Sequence, residues 1–167
     1  MHYIMKYHSP LGEITVASDG ESVVGLWLEG QKYFAATLDG DLREENLGVF
    51  EKVCRWLDVY FSGSEPTFTP PLAPKGSEFR RTVWEQLLRI PYGETVSYGE
   101  IAKRLEAETG RKTSARAVGG AVGHNPISII IPCHRVVGAD GSLTGYAGGV
   151  DKKVKLLEIE RATEDFK

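Results

Sequence analysis

The chain has 167 residues, of which 41% are hydrophobic and 26% charged, a composition typical of a globular protein rather than a disordered or fibrous one. Its longest apolar run, residues 127–132, is too short to span a bilayer, and residues 1–6 lack the layout of a secretory signal. Two cysteines exclude a disulfide framework and suit a reducing cytosol, so a cytoplasmic protein without a membrane partner is expected.

The net charge of −3 is unevenly distributed along the chain. Residues 1–74 contain 5 Lys and Arg against 11 Asp and Glu, whereas residues 75–167 contain 15 against 12. A basic surface suits a polyanionic partner, so nucleic acid, if it binds, is expected on the C-terminal half. On charge alone, ordinary variation of a protein surface explains the difference equally well.

The first half of the chain is predicted to form strands followed by one helix. Segments 1–8, 12–18 and 23–29 are rich in Val, Ile, Tyr and Trp and are separated by turn signals, which indicates an antiparallel meander. Apolar residues recur at helical spacing over residues 46–61, and Cys54 on that face is interpreted as a core residue. Four prolines between residues 66 and 74 indicate a stiff linker, which divides the chain into domains 1–74 and 75–167.

The second half is predicted to be helical. Ser77 is expected to cap a helix that ends at residues 91–93, and Ser97 and Glu100 have the spacing of a capping box for the next helix. A polar turn over residues 106–113 and a helix over residues 114–123 then complete a helix-turn-helix. Residues 127–131 are predicted to be a buried strand or extended segment.

The helix over residues 114–123 carries almost no bulky side chains. Residues 119, 120 and 123 are glycine, and each glycine costs a helix about 1 kcal/mol relative to alanine. A helix of this composition usually needs another backbone to come close. Two interpretations stay open: tight packing against a neighbouring helix, or close approach to DNA with Arg116 as the one long side chain.

The strongest chemical signal is the adjacent pair Cys133 and His134. A cysteine becomes a strong nucleophile when a nearby base or positive charge favours its thiolate. Since adjacent side chains do not automatically face each other, activation requires suitable local geometry, with a bridging water as one route. Arg135 adds positive charge, binds phosphate or packs structurally. A lone cysteine is more often a packing residue, so this pattern alone leaves both readings open.

Other residues are candidates for supporting this thiol. Asn125 either fills a turn or braces backbone groups near Cys133. Tyr146, among small residues in a loop, offers stacking or a hydroxyl to a flat ligand, unless the loop is merely a flexible surface segment. The carboxylates considered for orienting His134 are Asp140, Asp151, Glu158 and Glu160. The histidines and cysteines show no paired ligand spacing, so no metal site is predicted.

A final helix is expected after the Tyr146 loop. Asp151 is predicted to cap it, and Val154, Leu157 and Glu160 are predicted to share one face because they are three residues apart.

Taken together, these residues resemble the O6-alkylguanine-DNA alkyltransferases, the methylated-DNA–protein-cysteine methyltransferases. The match is nearly continuous over residues 97–160, and its motifs are Arg-Ala-Val-Gly at 116–119, Asn-Pro at 125–126, Ile-Pro-Cys-His-Arg-Val-Val at 131–137, Gly-Tyr at 145–146 and Leu-Leu at 156–157. The resemblance implies an α+β fold, with an N-terminal ribonuclease-H-like sheet-and-helix domain and a C-terminal helical domain that contains a winged-helix-like helix-turn-helix.

The resemblance also implies the reaction. Cys133 would take the alkyl group irreversibly from O6-alkylguanine, and from O4-methylthymine, in double-stranded DNA after the base is flipped out. His134 would act as the base through a water, Glu160 would orient it, and Asn125 would brace the site. The protein would act once, as a monomer and without a cofactor.

The implied DNA contacts lie on the helix-turn-helix and on the loop at Tyr146. Tyr98 would push on the phosphate beside the lesion, Arg116 would fill the space left in the base stack, and the recognition helix would enter the minor groove. The remaining DNA- and base-binding positions are Ser114, Ala115, Arg135, Val136, Tyr146 and Ala147.

Three rival functions are weighed against this one. An alkyltransferase-like lesion sensor typically carries tryptophan at the acceptor position, so Cys133 argues against it. A helix-turn-helix regulator with an inert cysteine predicts a preferred DNA sequence and no alkyl transfer. A cysteine hydrolase predicts turnover of small esters or peptides, and no motif beyond the Cys-His pair supports it.

Overall fold

The computed structural model describes residues 1–38, 40–143 and 146–161. Gly145 of the Gly-Tyr motif and the end of the predicted C-terminal domain, residues 162–167, lie outside the described residues. The elements, in chain order, are β1 (His2–Ser9), β2 (Gly12–Ser18), β3 (Val23–Leu28), β4 (Leu42–Glu44), α1 (Gly48–Phe61), α2 (Glu78–Leu88), β5 (Val96–Ser97), α3 (Tyr98–Thr109), α4 (Ala115–Gly123), a 3₁₀ turn (Cys133–Arg135), β6 (Val136–Val137) and α5 (Val150–Arg161).

The N-terminal half is a four-stranded sheet with the order β3-β2-β1-β4. The predicted antiparallel meander of β1, β2 and β3 is confirmed. The sequence did not predict β4, which pairs in parallel with β1 through three exposed residues and is too short to show a periodic pattern. The strand β3 is buried along its whole length because protein covers both faces of the sheet there.

The helix starts follow the predicted capping chemistry. The Ser77 hydroxyl accepts a hydrogen bond from the Arg80 backbone N–H at the start of α2. Ser97 and Glu100 form the predicted capping box at the start of α3, with bonds of 3.0 and 3.1 Å. In α1 the prediction for Cys54 is only partly met, because its side chain is half-buried against Met5 rather than inside the core.

The predicted turn over residues 106–113 is wrong in its first half. Helix α3 continues through Thr109 and ends at Gly110, whose φ of +72° is the left-handed conformation that glycine tolerates. Residues 106–109 resemble a turn because three of the four are polar, but they lie on an exposed helix end, where polar side chains are expected. Ser114 then caps α4 by accepting from the Ala117 backbone N–H.

Two later predictions also need correction. Residues 127–131 are buried as predicted, but they form turns with Ile129 at a φ of +69° instead of a regular strand. Asp151 lies inside the first turn of α5 rather than at its cap, because α5 begins at Val150. The buried residues of α5 are Lys153, Leu156, Leu157 and Glu160, whereas Val154 is only half-buried.

The main hydrophobic cluster joins both halves of the chain, and Ala17, Val24 and Trp27 form a smaller second cluster. The backbone N–H of Leu26 in β3 donates to Pro126, and Ser128 donates back to Leu26, so the segment before Cys133 is attached directly to the sheet. The α+β fold, with an N-terminal sheet and C-terminal helices, is therefore confirmed. Among the described helices, none has the length and apolar character needed to cross a membrane.

Candidate active site

Cys133 opens a 3₁₀ turn between the buried segment 127–131 and β6, and only 4% of it is exposed. Asn125 holds this segment in shape: its side-chain amide donates to the Ile131 carbonyl at 2.8 Å and its oxygen accepts from the Ile127 backbone N–H at 3.0 Å. Both bonds are buried, so the turn that carries the thiol is rigidly defined.

His134 points into the interior and meets Glu160 from α5. The distance between His134 Nε2 and Glu160 Oε2 is 2.5 Å, and both side chains are fully buried. The other candidate carboxylates considered for this contact, Asp140, Asp151 and Glu158, are all exposed. Glu160 is selected because it follows Lys153 and Leu156 on the buried face of α5.

Glu160 is the centre of a larger hydrogen-bond network. Besides His134, it accepts from Arg135 Nε at 2.8 Å, the Tyr60 hydroxyl at 2.7 Å and the Gly93 backbone N–H at 3.0 Å. Burial alone would raise the pKa of Glu160, but the bonds and charges of His134 and Arg135 outweigh it and lower that pKa to about 2. The carboxylate is therefore ionised throughout the neutral pH range.

His134 keeps one nitrogen for further use. Burial lowers the pKa of its imidazole, although the bond to Glu160 opposes this effect. With Nε2 committed to Glu160, the buried Nδ1 has no hydrogen-bond partner among the described residues. An imidazole held on one side by a carboxylate, with its second nitrogen available, is suited to accept a proton.

Arg135 is occupied by internal contacts. Its guanidinium bonds to both Glu160 oxygens and to the Ile90 carbonyl, and only 8% of the residue is exposed. The sequence left phosphate binding and packing open, and these contacts agree with the packing alternative.

The thiol lies beside a buried lysine that the sequence analysis missed. Burial raises the pKa of Cys133, while Asn125, the charge of Lys153 and Tyr146 act in the opposite direction. Lys153 is fully buried and donates to the Val136 carbonyl at 2.6 Å. Lysine is almost never fully buried without a partner, so a lysine in a sequence is normally interpreted as a surface residue. The available sequence signal was its spacing of three and seven residues from Leu156 and Glu160, which places Lys153 on the same face of the helix.

Tyr60 was also missed, and no sequence signal could have identified it. It comes from α1, 100 residues before Glu160, and its ring is fully buried against Trp56. An aromatic residue on the apolar face of a helix is interpreted as core from sequence, because nothing in the pattern shows where its hydroxyl ends.

A cleft of about 440 Å³ opens beside the site at Tyr146. Its lining combines α4, the loop after Tyr146 and the segment after β3, namely Gly30, Lys32, Tyr33, Gly119, Gly120, Gly123, His124, Tyr146, Ala147, Gly148 and Gly149. The Lys32 backbone N–H donates to the Ala147 carbonyl, and the Tyr33 and His124 rings stack at 4.1 Å. The contribution of Lys32 and Tyr33 was not predicted.

Tyr146 brings its hydroxyl into the buried site. Its oxygen lies near Cys133 and Ser128, both of which influence its pKa, but makes no hydrogen bond of satisfactory geometry among the described residues. Burial raises that pKa well above the ordinary value, so the hydroxyl keeps its proton. Val136 is fully buried, and Ala147 is half-buried at the cleft.

The N-terminal half of the small-residue helix α4 is exposed on the surface. Val118, Ala121 and Val122 are buried, whereas Gly120 has no atom near enough to touch an added Cβ. Ser114, Ala115 and Arg116, three of the predicted DNA-binding residues, are all exposed at its start. The helix therefore has one face that packs tightly against the protein and one open face that a ligand could approach closely.

Tyr98 connects α4 with the thiol. It is half-buried, its ring lies against Gly119, and burial and the neighbouring Cys133 raise its pKa. Over residues 1–38, 40–143 and 146–161, no group of three or more His, Cys, Asp or Glu side chains is arranged to hold a metal ion.

Two family models match the chain. The 6-O-methylguanine DNA methyltransferase ribonuclease-like domain matches residues 2–74, and the DNA binding domain of the same family matches residues 78–162. A curated relative named methylated-DNA–protein-cysteine methyltransferase, from Methanosarcina acetivorans, is 45% identical over 96% of this chain and 98% of its own length. The relative of that name from Haemophilus influenzae is 42% identical over 95% of this chain and 86% of its own length.

Solved structures agree with these matches. The crystal structure of Mycobacterium tuberculosis OGT in complex with DNA is similar with a TM-score of 0.85 and 42% identity, covering 96% of this chain and 93% of that one. The structure of an O6-methylguanine DNA methyltransferase from Methanococcus jannaschii is similar with a TM-score of 0.66 and 33% identity, covering 98% and 97%.

Proposed function

The chain belongs to the 6-O-methylguanine DNA methyltransferase family and repairs methylated DNA by direct reversal, and from this premise we propose that Cys133 is the alkyl acceptor. One observation carries the proposal: a buried thiol is adjacent to a buried His134–Glu160 pair, next to a helix with an exposed small-residue face. Residues 1–74 and 75–167 are the two domains in this proposal, and the thiol belongs to the second.

The transfer is a single displacement at the alkyl carbon. The thiol proton passes through a bridging water to His134 Nδ1, and Glu160 stabilises the resulting imidazolium. The sulfur then forms a bond to the alkyl carbon while the carbon–O6 bond breaks. The released guanine anion takes up a proton, so the net reaction exchanges the alkyl group for the thiol hydrogen. Asn125 keeps the thiol in place during this step.

The reaction is expected to occur once per molecule. A thioether carbon has no good leaving group in this site, so the alkylated cysteine is not regenerated and no cofactor takes part. Cys133 must stay reduced until it meets its lesion, which supports a cytoplasmic location, and neither cysteine is in a disulfide. The protein acts as a monomer in this proposal, since one chain supplies every group named.

The alkylated base is expected to reach the thiol by flipping out of the duplex. The O6 substituent is inaccessible inside paired DNA, and an extruded base needs a pocket. The cleft beside Tyr146 is the proposed base pocket, with Tyr146 and Ala147 in its lining. The backbone at Val136 is proposed as a further contact to the base, although Val136 itself does not line the cleft. Alanine at position 147 leaves room for alkyl groups larger than methyl, and O4-methylthymine is a further substrate by the same chemistry.

Helix α4 is proposed to enter the minor groove. That groove is only about 6 Å wide, so a helix whose exposed face bears small residues fits it better than a bulky one. Ser114 and Ala115 would make the first contacts, Arg116 would fill the space left by the flipped base, and Tyr98 would press on the adjacent phosphate. The exposure of Arg116 at the start of α4 supports its role.

The deciding experiment is mass spectrometry of the protein after incubation with a duplex that contains one O6-methylguanine. We expect one added methyl on the Cys133 peptide, saturating at one per protein. Cys133→Ser should abolish transfer and retain binding to the modified DNA, whereas Cys54→Ser, the matched control, should transfer normally. Undiminished transfer by Cys133→Ser would refute the acceptor. Unmodified wild-type protein that still binds the duplex would favour a lesion sensor or a regulator.

A further inference from the structure

Tyr60 brings the N-terminal half of the protein into the proposed proton relay, which consists of Cys133, His134 and Glu160. Its hydroxyl donates to Glu160 Oε2 at 2.7 Å, which is the same oxygen that lies 2.5 Å from His134 Nε2. The hydroxyl oxygen itself is 3.4 Å from that nitrogen. One carboxylate oxygen is thus shared between the imidazole and a phenol from a distant part of the chain.

The phenol is held in place by its aromatic neighbours. Its ring stacks on Trp56 with centroids 5.3 Å apart and planes 9° apart, and Phe61 and Tyr92 meet it edge-on. The side chain is fully buried, and burial and the charge of Glu160 raise its pKa well above the ordinary value. Tyr60 therefore keeps its proton and acts on Glu160 as a fixed hydrogen-bond donor.

We propose that Tyr60 is a positioning residue for alkyl transfer, because its hydroxyl fixes the Glu160 oxygen that orients His134 and limits how strongly the relay holds a proton. This inference rests on the proposed relay. A carboxylate that accepts a bond from a phenol is less basic than one that does not, because the donor stabilises the ionised form. Tyr60 would thereby keep the relay able to release a proton near neutral pH.

Other charged and titratable groups face the same point. Arg135 comes from the 3₁₀ turn, Lys153 from α5, Tyr92 from the segment after α2, and Tyr146 from the loop before α5. None of them is altered when only the Tyr60 hydroxyl is removed. A change in the pH profile can therefore be assigned to the Tyr60 hydroxyl, whose shortest contact is the bond to Glu160.

The test is Tyr60→Phe, which removes one oxygen atom and keeps the ring. Single-turnover transfer from an O6-methylguanine duplex is measured from pH 5 to pH 9. Because the carboxylate becomes more basic, the acid limb of the profile should move up by about one pH unit, with a loss of about tenfold on that limb and a rate near wild type at the alkaline end.

Tyr7→Phe is the matched control. The Tyr7 hydroxyl also donates to a carboxylate of α1, Asp58, at 2.6 Å, but this bond does not involve the relay. Its pH profile should coincide with that of the wild type. An unshifted acid limb in Tyr60→Phe, or an equal loss at every pH, would overturn the inference and leave Tyr60 with a packing role only.

A second variant covers the case in which Tyr60→Phe does not fold. Site-specific replacement of Tyr60 by 3-fluorotyrosine changes its size little and makes the phenol a stronger donor, so the acid limb should move to lower pH. A limb that stays in place would refute the proposal. Failure of the proposed function is separately recognisable, because then either the wild-type protein would transfer no methyl group at any pH or Cys133→Ala would still transfer it, whatever the result at Tyr60.

Discussion

Replacing Glu160 with glutamine should destabilise the protein far more than a change of one charge on its surface. The carboxylate is fully buried and is the only anion bonded to the buried Arg135 among the described residues. Glutamine has nearly the same shape, but it leaves the guanidinium without a counter-charge and directs an N–H₂ group toward existing donors. Removing one partner of a buried ion pair costs about 3–5 kcal/mol.

The effect should depend on pH in a defined direction. The folded-state pKa of Glu160 is about 2, whereas an unperturbed glutamate has a pKa of about 4.3. Because the folded value is the lower one, the unfolded chain binds this proton more tightly, and stability is lost as the pH falls. The difference corresponds to about 3 kcal/mol at pH 7, which should disappear between about pH 5 and pH 2.

Urea denaturation from pH 2.5 to pH 8 measures the free energy of unfolding that both statements concern, and thermal denaturation at pH 7 measures the unfolding temperature. At pH 7 the unfolding temperature of Glu160→Gln should lie roughly 6–20 °C below that of the wild type, given about 2–4 °C per kcal/mol for a chain of this size. Glu158→Gln, an exposed control on the same helix, should stay within about 0.5 kcal/mol of the wild type. A gap below about 1 kcal/mol at pH 7, or one that is constant with pH, would refute this reasoning.

Three further substitutions test the site. Lys153→Met removes a buried ammonium beside the thiol, so the pKa of Cys133 should rise and transfer at neutral pH should fall about tenfold; an unchanged pH–rate profile would contradict this. Arg116→Ala should slow repair of duplex DNA more than reaction with the free modified base, and equal losses on both substrates would argue against a role in the base stack. Gly148→Ala places a methyl group 2.7 Å from the Tyr146 ring. The free energy of unfolding in urea should therefore fall by about 1–3 kcal/mol, and transfer should be slower. Wild-type values of both would disprove the contact.

Local patterns in the sequence predicted most of the fold. Turn signals separated the strands, and the Ser97–Glu100 spacing located the start of α3, because capping depends on residues only three positions apart. Two of the errors concern short exposed segments that show no apolar periodicity. Residues 106–109 are helical at an exposed helix end, and β4 exists only because β1 offers it a free edge.

The site was predictable to the extent that its chemistry is contiguous in sequence. Cys133 and His134 are adjacent, so their residue types alone suggested a nucleophile with a base. Glu160 was one of four candidate carboxylates until the burial of one face of α5 distinguished it. Tyr60 and Lys153 could not be assigned a function, since a buried aromatic ring or a long aliphatic chain is explained by packing unless its terminal polar atom is seen.

The distribution of these contacts explains why the two halves share one core. The segment that carries Cys133 is bonded through its backbone to Leu26 of β3, and the loop that forms the cleft is bonded at Ala147 to Lys32. Glu160 receives a hydrogen bond from Tyr60 of α1. A reactive constellation must be held to within about half an ångström, and loops alone hold such geometry poorly. In the proposed mechanism the acidic half does not need to touch DNA, because the segment with the thiol, the cleft and Glu160 are each bonded to one of its residues.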